Sequence, residues 1–257
     1  MAMSPSVKAQ AIVHISGTGS GTGGMQVLAN AFMKKHRDVT IQVQPALGST
    51  GGIRALIAGR LELAVSNRMP TSEEMAKAPM VSVEYARTPF VIAVHNDLKL
   101  TALTSSQLAA VFAEGPATFP DGNRARPVFR PADPADTNLL RSFSPAIAAA
   151  HDKAAVRRGM LTAGNDSDTA DMLETVAGAI SGTTLALILS EKRPLTPLTI
   201  DGKVPTVTEL NAGRYPYFKP LYMMIRRDAG TNTKHFAAFV HSEEASALLR
   251  ANGHAPT

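Results

Sequence analysis

Cysteine is absent from the 257 residues of the chain, and so is any long apolar run. Without cysteine there are no disulfide bonds, no thiolate nucleophiles and no cysteine-based metal sites. No stretch approaches the ~18 to 20 apolar residues that a membrane span requires, so the protein is not itself a channel. The first five residues also lack the apolar segment of a signal peptide. Two interpretations stay open: a cytoplasmic protein, or one whose leader is missing from this sequence.

Catalytic and metal-binding motifs are missing as well. The seven histidines are scattered without an H-E-x-x-H pair, and no serine lies in a G-x-S-x-G turn, so nothing supports a hydrolase. Five aspartates fit no calcium loop and have no histidine among them: Asp133, Asp136, Asp166, Asp168 and Asp171. Helix capping is the predicted role for most of them, and Asp166-Ser167-Asp168 is one example. We therefore expect no enzyme activity, no cofactor and no metal.

Positive charge is in slight excess but is not concentrated. Lysine and arginine total 26 against 21 acidic residues, which gives a net charge of +5. Adjacent basic pairs such as Lys34-Lys35, Arg157-Arg158 and Arg226-Arg227 are few and lie far apart in the sequence. A nucleic-acid backbone normally requires a concentrated basic stripe, whereas a dispersed positive field suits a small anion. The charge pattern therefore disfavours nucleic acid as a partner and favours a small anionic one.

Hydrophobic periodicity predicts alternating strands and helices in the first 65 residues. From Met25 to Met33, apolar residues recur at positions i, i+3, i+4, i+7 and i+8, which is one face of a helix. The predicted elements are a strand over 11–15, a helix from 25, a strand over 39–43, a helix from 53 and a strand over 61–65. This β-α-β-α-β order predicts an α/β fold with a mostly parallel sheet covered by helices on both faces.

The second half of the chain repeats this order less clearly. Three helices are predicted. One covers 108–112, one begins at a cap formed by Asp136-Thr137 and runs to Phe143, and one covers 169–177. The predicted strands cover 127–130, 185–189 and 198–200. Two crossings, near residues 92 and 194, would divide the chain into two lobes: residues 10–92 with 195–257, and residues 93–194.

Three loops of the first half combine glycine with small hydroxyl residues and cations. They cover residues 16–22, 48–51 and 66–68, near the ends of predicted strands. Such loops expose backbone N–H groups and hydroxyl donors beside the positive end of a helix dipole. In parallel sheets, ligands bind at this edge, outside the carboxyl ends of the strands. The three loops therefore predict a pocket for an oxyanion.

The glycine run Gly19–Gly24 formally matches the dinucleotide motif G-x-G-x-x-G. That motif requires an acidic residue near the end of the next strand, where this chain has Val43, Gln44 and Pro45. A P-loop is excluded more firmly because Met25 stands in place of its lysine. A nucleotide-using enzyme is therefore the third alternative for function, and glycines that serve only a tight turn remain another interpretation.

Two arginines differ from the others in their predicted position. Most arginines simply solvate a protein surface. Arg68 and Arg130, however, each follow a predicted strand, where a guanidinium can make a bidentate contact with an oxyanion. We therefore add both to the predicted anion site.

The chain resembles phosphate-type periplasmic binding proteins in motifs that span nearly its whole length. The opening Ile15-Ser16-Gly17-Thr18-Gly19-Ser20 and the segment 31–36 are similar to the start of that family. The further matching segments are Gly48-Ser49-Thr50-Gly51-Gly52-Ile53, Ser66-Asn67-Arg68-Met69-Pro70, 200–206 and 213–216. The resemblance implies a two-lobed type II periplasmic-binding fold, each lobe a mostly parallel sheet flanked by helices. The lobes of this fold close over a dehydrated oxyanion.

A role and a ligand set also follow from the resemblance. It implies a monomeric solute-binding protein, periplasmic or extracellular, that feeds an ABC importer. The implied partners are a small inorganic oxyanion, with phosphate first, and the membrane permease. The implied ligand-binding residues are Thr18, Gly19, Ser20, Ser49, Thr50, Gly51, Ser66, Asn67 and Arg68 in the first lobe, and Arg130, Asp136 and Thr137 in the second.

Two departures from the family pattern concern the anion itself. The family's arginine and Ser-Gly-Thr loop appears here as Arg130–Thr137, one residue longer and without Ser-Gly. Asn67 stands where many phosphate-specific members have an aspartate that accepts a proton from phosphate and so rejects sulfate. We hypothesise that Asp136 supplies the missing acceptor. Three ligands stay open: phosphate, another oxyanion, or an organic anion such as a phosphonate. Two roles also stay open: import of the anion, or sensing of the anion for a regulatory partner.

Overall fold

The computed structural model describes residues 12–112, 117–130 and 134–257. The strands are β1 (Ile12–Gly17), β2 (Thr40–Val43), β3 (Leu63–Ser66), β4 (Met80–His95), β5 (Ala102–Leu103), β6 (Arg126–Phe129), β7 (Leu161–Thr162), β8 (Ala179–Thr184), β9 (Leu195–Pro197), β10 (Thr199–Ile200), β11 (Phe218–Arg226) and β12 (Ala255–Pro256). The helices are α1 (Gly19–Lys35), α2 (Gly48–Ile57), α3 (Ser72–Lys77), α4 (Ser105–Val111), α5 (Pro134–Ser142), α6 (Pro145–Ala155), α7 (Asp166–Thr175), α8 (Leu185–Ser190), α9 (Val207–Asn211), α10 (Thr231–Val240) and α11 (Glu243–Ala251), and a 3-10 turn covers Asn96–Leu98.

The predicted β-α-β-α-β order of the first half is confirmed. β1 pairs in parallel with β2 on one side and with β3 on the other. The apolar face of α1 buries Met25, Leu28 and Phe32 against Ile15 of β1. Burial of such a face is the main source of helix stability in a protein of this class, because an isolated helix is marginal in water.

One long strand, β4, connects two groups of parallel strands. The sheet order is β2-β1-β3-β11-β4-β8-β6-β7, with β12 and β9 also paired to β4. β11 and β4 run antiparallel to their neighbours, whereas β1, β2 and β3 are parallel to one another, as are β6, β7 and β8. β4 pairs with β11 as far as Pro89 and with β8 from Phe90 onward. Each parallel group carries helices and has buried apolar clusters of its own.

The division into two lobes with boundaries near 92 and 194 stays a prediction. Phe90, Tyr215 and Tyr217 belong to one buried apolar cluster, together with residues of α4, β6 and α6. The hydroxyl of Tyr215 donates a hydrogen bond of 2.7 Å to the backbone oxygen of Phe90. The segment that follows β10 therefore packs against the second strand group. Among the described residues, no helix is both long and apolar enough to cross a bilayer.

The predicted strand over 185–189 is wrong, because these residues form helix α8. The strand of this region is β8, which ends immediately before it. The Thr184 side chain caps α8 by accepting a hydrogen bond from the backbone N–H of Leu187. A short run that is apolar on every side has no periodicity to separate strand from helix. Thr184, a residue type that commonly caps helices, is the signal in the sequence that favours a helix over a strand here.

Several further helix starts differ from the predicted ones. α2 begins at Gly48, so the predicted loop over 48–51 forms its first turn. α1 begins at Gly19, so much of the predicted loop 16–22 is helical, and α7 begins at Asp166 rather than near 169. α5 begins at Pro134, so Asp136 lies in its first turn instead of capping it. Glycine and aspartate are poor helix formers in general. These glycines and aspartates lie in the first turns of helices because of tertiary contacts, and local helix propensity carries no information about such contacts.

Gly17 allows β1 and β3 to lie close together where the chain turns into α1. Its φ angle is +147°, a conformation that side chains rarely adopt. A Cβ placed on Gly17 would lie 1.8 Å from the backbone oxygen of Val65. That same oxygen accepts a 2.9 Å hydrogen bond from the backbone N–H of Thr18. Gly17 therefore sets the entry to α1.

We expect Gly17→Ala to lower the free energy of unfolding by more than about 2 kcal/mol, because backbone strain and a clash with backbone atoms add together. Gly230→Ala is the control: Gly230 has ordinary backbone angles and no atom within 4 Å of an added Cβ. Urea unfolding of both variants checks this. Equal stability of the two would contradict the assigned role of Gly17.

His254 is fully buried against α1 near the end of the chain. A Cβ on Gly24 would lie 2.6 Å from its Nε2 atom, which shows how closely the ring packs on the helix. Neither ring nitrogen has a hydrogen-bond partner within the described part of the chain. Burial lowers the pKa of His254 to about 4. The folded protein therefore holds this imidazole neutral at pH values where the unfolded chain protonates it.

We expect the free energy of unfolding to fall as the pH drops from about 6.5 to about 4. The unfolded chain takes up a proton on His254 at the ordinary histidine pKa of about 6.5, whereas the folded chain does so only near 4. This contribution to stability is complete above that window. Urea unfolding at several pH values should show a shallower dependence in His254→Leu than in wild type, and an unchanged one in the exposed control His241→Leu. A wild-type slope in His254→Leu would contradict the assignment.

Candidate functional site

A pocket of about 450 Å³ opens at the sheet edge that the three loops were predicted to form. It lies between the start of α2, the turn after β3 and the residues that precede α7. Its lining residues are Thr18, Leu47, Gly48, Ser49, Thr50, Gly51, Asn67, Arg68, Arg130, Ala135, Gly164, Asn165 and Asp166. Many of the predicted site residues are therefore brought together at this edge.

Four charged side chains are buried together beside this pocket. The side chains of Arg130, Asp136, Asp166 and Lys219 are 8%, 5%, 3% and 1% exposed. Arg130 forms ion pairs with both aspartates, and Lys219 does the same, with Nζ at 3.1 Å from Oδ1 of Asp166. The charges of this cluster, which we name the buried ion cluster, balance as two cations and two anions. Full pairing is what permits charges at such depth.

Neutral donors complete the surroundings of Asp166. Its Oδ2 atom accepts hydrogen bonds from the Thr18 hydroxyl at 2.8 Å, the Ser20 hydroxyl at 2.9 Å and the Ser20 backbone N–H at 3.2 Å. Burial alone would raise the pKa of Asp166. The charges of Lys219 and Arg130, together with these hydrogen bonds, outweigh burial and hold the pKa well below its usual value. Asp166 is therefore a carboxylate anion at neutral pH.

The local sequence explains why this carboxylate can enter the start of α1. The first turn of α1 contains no acidic residue, and its N-cap Thr18 makes no side-chain cap bond. Gly19 leaves room, because a Cβ there would lie 2.9 Å from the Cβ of Asp166. The open helix N-terminus offers N–H groups and a positive dipole end, which attract an anion. An anionic group therefore fits at this place, and Asp166 supplies it.

The capping role predicted for Asp166 is wrong. Asn165 caps α7, and its Oδ1 atom accepts a 2.9 Å hydrogen bond from the backbone N–H of Asp168. The exposed Asp168 carboxylate accepts from the Asn165 amide at 2.9 Å. The Asp166 side chain is consequently not needed for the helix start and points into the buried ion cluster.

A second set of predicted residues lies across the pocket from the buried ion cluster. The Ser49 hydroxyl donates to Oδ1 of Asn67 at 2.7 Å and accepts from the Asn67 backbone N–H at 3.0 Å. Arg68 donates two hydrogen bonds of 2.8 Å to Glu74 and a longer one of 3.3 Å to the Thr50 hydroxyl. The hydrogen bonds from Arg68 lower the pKa of Glu74 to about 2. The Arg68 guanidinium is thus oriented by a carboxylate at the pocket rim.

Five predicted residues do not line this pocket. Gly19 and Ser20 lie in the first turn of α1, where Ser20 donates to Asp166, and the other three are Ser66, Asp136 and Thr137. The hydroxyl of Ser66 is buried and donates to the backbone oxygen of Arg68 at 2.8 Å. Thr137 and Asp136 line a small neighbouring pocket together with Phe90 and His151. The hypothesis that Asp136 replaces a missing acceptor finds no support in this placement, because its carboxylate faces Arg130 and Lys219.

Sequence reasoning missed two members of the buried ion cluster, Asp166 as a site residue and Lys219 altogether. Lys219 stands in an otherwise aromatic and apolar segment that forms β11, and a lone lysine in such a strand is a signal of a buried partner. Among the described residues, no group of three or more histidine or acidic side chains is placed to hold a metal ion.

Comparison with known proteins places the fold. A family model described as a PBP superfamily domain matches residues 4–244. A putative phosphate ABC transporter substrate-binding protein from Clostridium perfringens, solved with bound phosphate, is similar with a TM-score of 0.74 at 17% identity. The match covers 96% of this chain and 100% of that one. A search of curated proteins gives no match.

Two other solved structures show the same architecture. The periplasmic molybdate-binding protein of Azotobacter vinelandii has a TM-score of 0.64 at 17% identity, covering 94% of this chain and 98% of that one. The CcmR regulatory domain of Synechocystis PCC6803, in complex with 2-PG, has a TM-score of 0.55 at 13% identity, covering 90% and 95%. At such identities the likeness concerns the fold, and the predicted type II periplasmic-binding fold is confirmed.

We expect Lys219→Met to lower the free energy of unfolding by about 3 to 5 kcal/mol, because it leaves two buried carboxylates with one cation. Lys77→Met is the matched control, since Lys77 forms an exposed ion pair with Glu73 whose loss costs less than about 1 kcal/mol. Urea unfolding at neutral pH measures both. A Lys219 variant as stable as the control would show that the cluster does not hold the fold.

Proposed function

The chain belongs to the PBP superfamily, and from this membership and its site geometry we propose that it is the solute-binding protein of an ABC-type importer. It captures phosphate or a related oxyanion in the cleft between the two strand groups and delivers it to a membrane permease. It works outside the cytoplasm, as a monomer and without chemistry of its own. The lobes that close over the solute are residues 10–92 with 195–257, and residues 93–194.

One observation carries this proposal: five donors of different kinds converge on the two oxygens of a single carboxylate. Two hydroxyls and one helix N–H bind one oxygen of Asp166, and two cations bind the other. Helix N-termini, hydroxyls and a guanidinium are the groups that proteins use to hold a dehydrated oxyanion. The carboxylate oxygens stand in for two oxygens of such an anion.

The family neighbours support the ligand class. The Clostridium perfringens protein is described with bound phosphate, and the Azotobacter vinelandii protein as molybdate-binding. Selectivity between oxyanions differs here from a site with an aspartate acceptor, because Asn67 presents an amide whose oxygen already accepts from Ser49. Without a carboxylate at position 67 to take a proton from phosphate, this wall of the site has less means to reject sulfate.

A second candidate ligand is an organic anion such as a phosphonate or a small phosphorylated acid. The pocket volume of about 450 Å³ lies in the range of small-molecule sites and exceeds what a bare inorganic oxyanion fills. The CcmR regulatory domain, described in complex with 2-PG, shares the fold and gives the same candidate a sensing role. In this case the charged group binds near Arg130 and the remainder lies along α2.

We expect isothermal titration calorimetry to detect binding of at least one anion from a panel of phosphate, sulfate, molybdate, a phosphonate and a phosphorylated carboxylic acid. Ser49→Ala should weaken that binding about 3- to 10-fold, because the Ser49 hydroxyl orients Asn67 at the pocket wall through two hydrogen bonds. Ser142→Ala, at an exposed hydroxyl that bonds to Leu139, should leave it unchanged. Absence of heat with every member of the panel would overturn the proposal.

A further inference from the structure

We propose that Asp166 is the specificity-determining residue of this site: its carboxylate is an internal competitor that fills the oxyanion position. A free inorganic oxyanion then binds there only by displacing the Asp166 side chain. This inference rests on the proposed function, because it concerns the same site.

The hydrogen-bond donors and cations that would hold an oxyanion at this position are the same groups that already bind the Asp166 carboxylate. A carboxylate has about four lone-pair sites, and five donor groups surround this one. Oδ2 accepts from Thr18 and Ser20, and Oδ1 faces Arg130 and Lys219. An oxyanion placed on the same donors would overlap the carboxylate.

Charge gives a second, independent reason. The buried ion cluster already balances two cations against two carboxylates, with every side chain less than a tenth exposed. A dianion added to this cluster would leave a net charge of about −2 among deeply buried side chains, which is strongly unfavourable. With Asp166 withdrawn, the remaining three groups carry one net positive charge, which suits an anion.

The position of Asp166 relative to the pocket makes displacement possible. Thr18, Arg130 and Asp166 form part of the wall of the 450 Å³ pocket, so an incoming anion meets this carboxylate at the pocket surface. Asn165 caps α7 without help from Asp166, so withdrawal of the side chain does not remove the helix cap. The bonds that Asp166 makes to Thr18 and Ser20 join the second strand group to the first.

The experiment compares inorganic phosphate binding to wild type, Asp166→Ala and the control Asp168→Ala by calorimetry at neutral pH. Asp168 is an exposed carboxylate two residues away in the same helix turn. We expect Asp166→Ala to bind phosphate at least about tenfold more tightly than wild type, because the competing state is removed. Asp168→Ala should bind as wild type does. Equal or weaker binding by Asp166→Ala would overturn the inference.

Should Asp166→Ala fail to fold alone, its unfolding is followed with phosphate or sulfate added against chloride at equal ionic strength. Recovery of cooperative folding by the oxyanions supports the inference, and no recovery overturns it. The outcomes also separate the two proposals. Tight phosphate binding by wild type that Asp166→Ala does not improve overturns the competitor and leaves the proposed function, whereas no anion binding by either protein overturns both.

Discussion

The buried ion cluster is the constraint on which the arrangement of this protein depends. Arg130 follows β6, Lys219 lies on β11, and the two aspartates lie in the first turns of α5 and α7, so four separate elements must meet at one point. Each charge is deeply buried, and each is tolerated only because opposite charges and hydrogen bonds surround it. Two parts of the sheet are thus held in one relative position by a balanced set of ions.

The start of α1 supplies the neutral hydrogen-bond donors that surround Asp166 in this cluster. A glycine with an unusual φ angle turns the chain sharply after β1, and a second glycine removes the Cβ that would keep α7 at a distance. These two backbone features let the carboxylate of Asp166 reach the N-terminal donors of the 17-residue helix α1. The glycine run therefore allows a negatively charged group to come close to the N-terminus of α1. Helix N-termini bind anions in this way in many proteins.

Much of the fold was predictable because its signals are local. The apolar spacing from Met25 to Met33 and the alternation around Ile41 identified α1 and β2 correctly. The strand predicted over 185–189 failed because a wholly buried run has no polar face to reveal its period. The local sequence predicts that Asp166 caps a helix, because an aspartate immediately before a helix usually has that role. Its real partners, Thr18 and Ser20, stand 148 and 146 residues away. Nothing local in the sequence reports such contacts.

The strand β4 is shared by the two strand groups, and this has a mechanical consequence. It is 16 residues long and stays paired on both sides of the point where its partner changes from β11 to β8. Pro89, at that point, has no N–H to give to the ladder. Any change in the angle between the two strand groups would therefore bend a continuous, hydrogen-bonded strand near Pro89. A connection made by a strand that is paired along its length resists bending more than an unpaired linker does, and it would limit the angles available between the two strand groups.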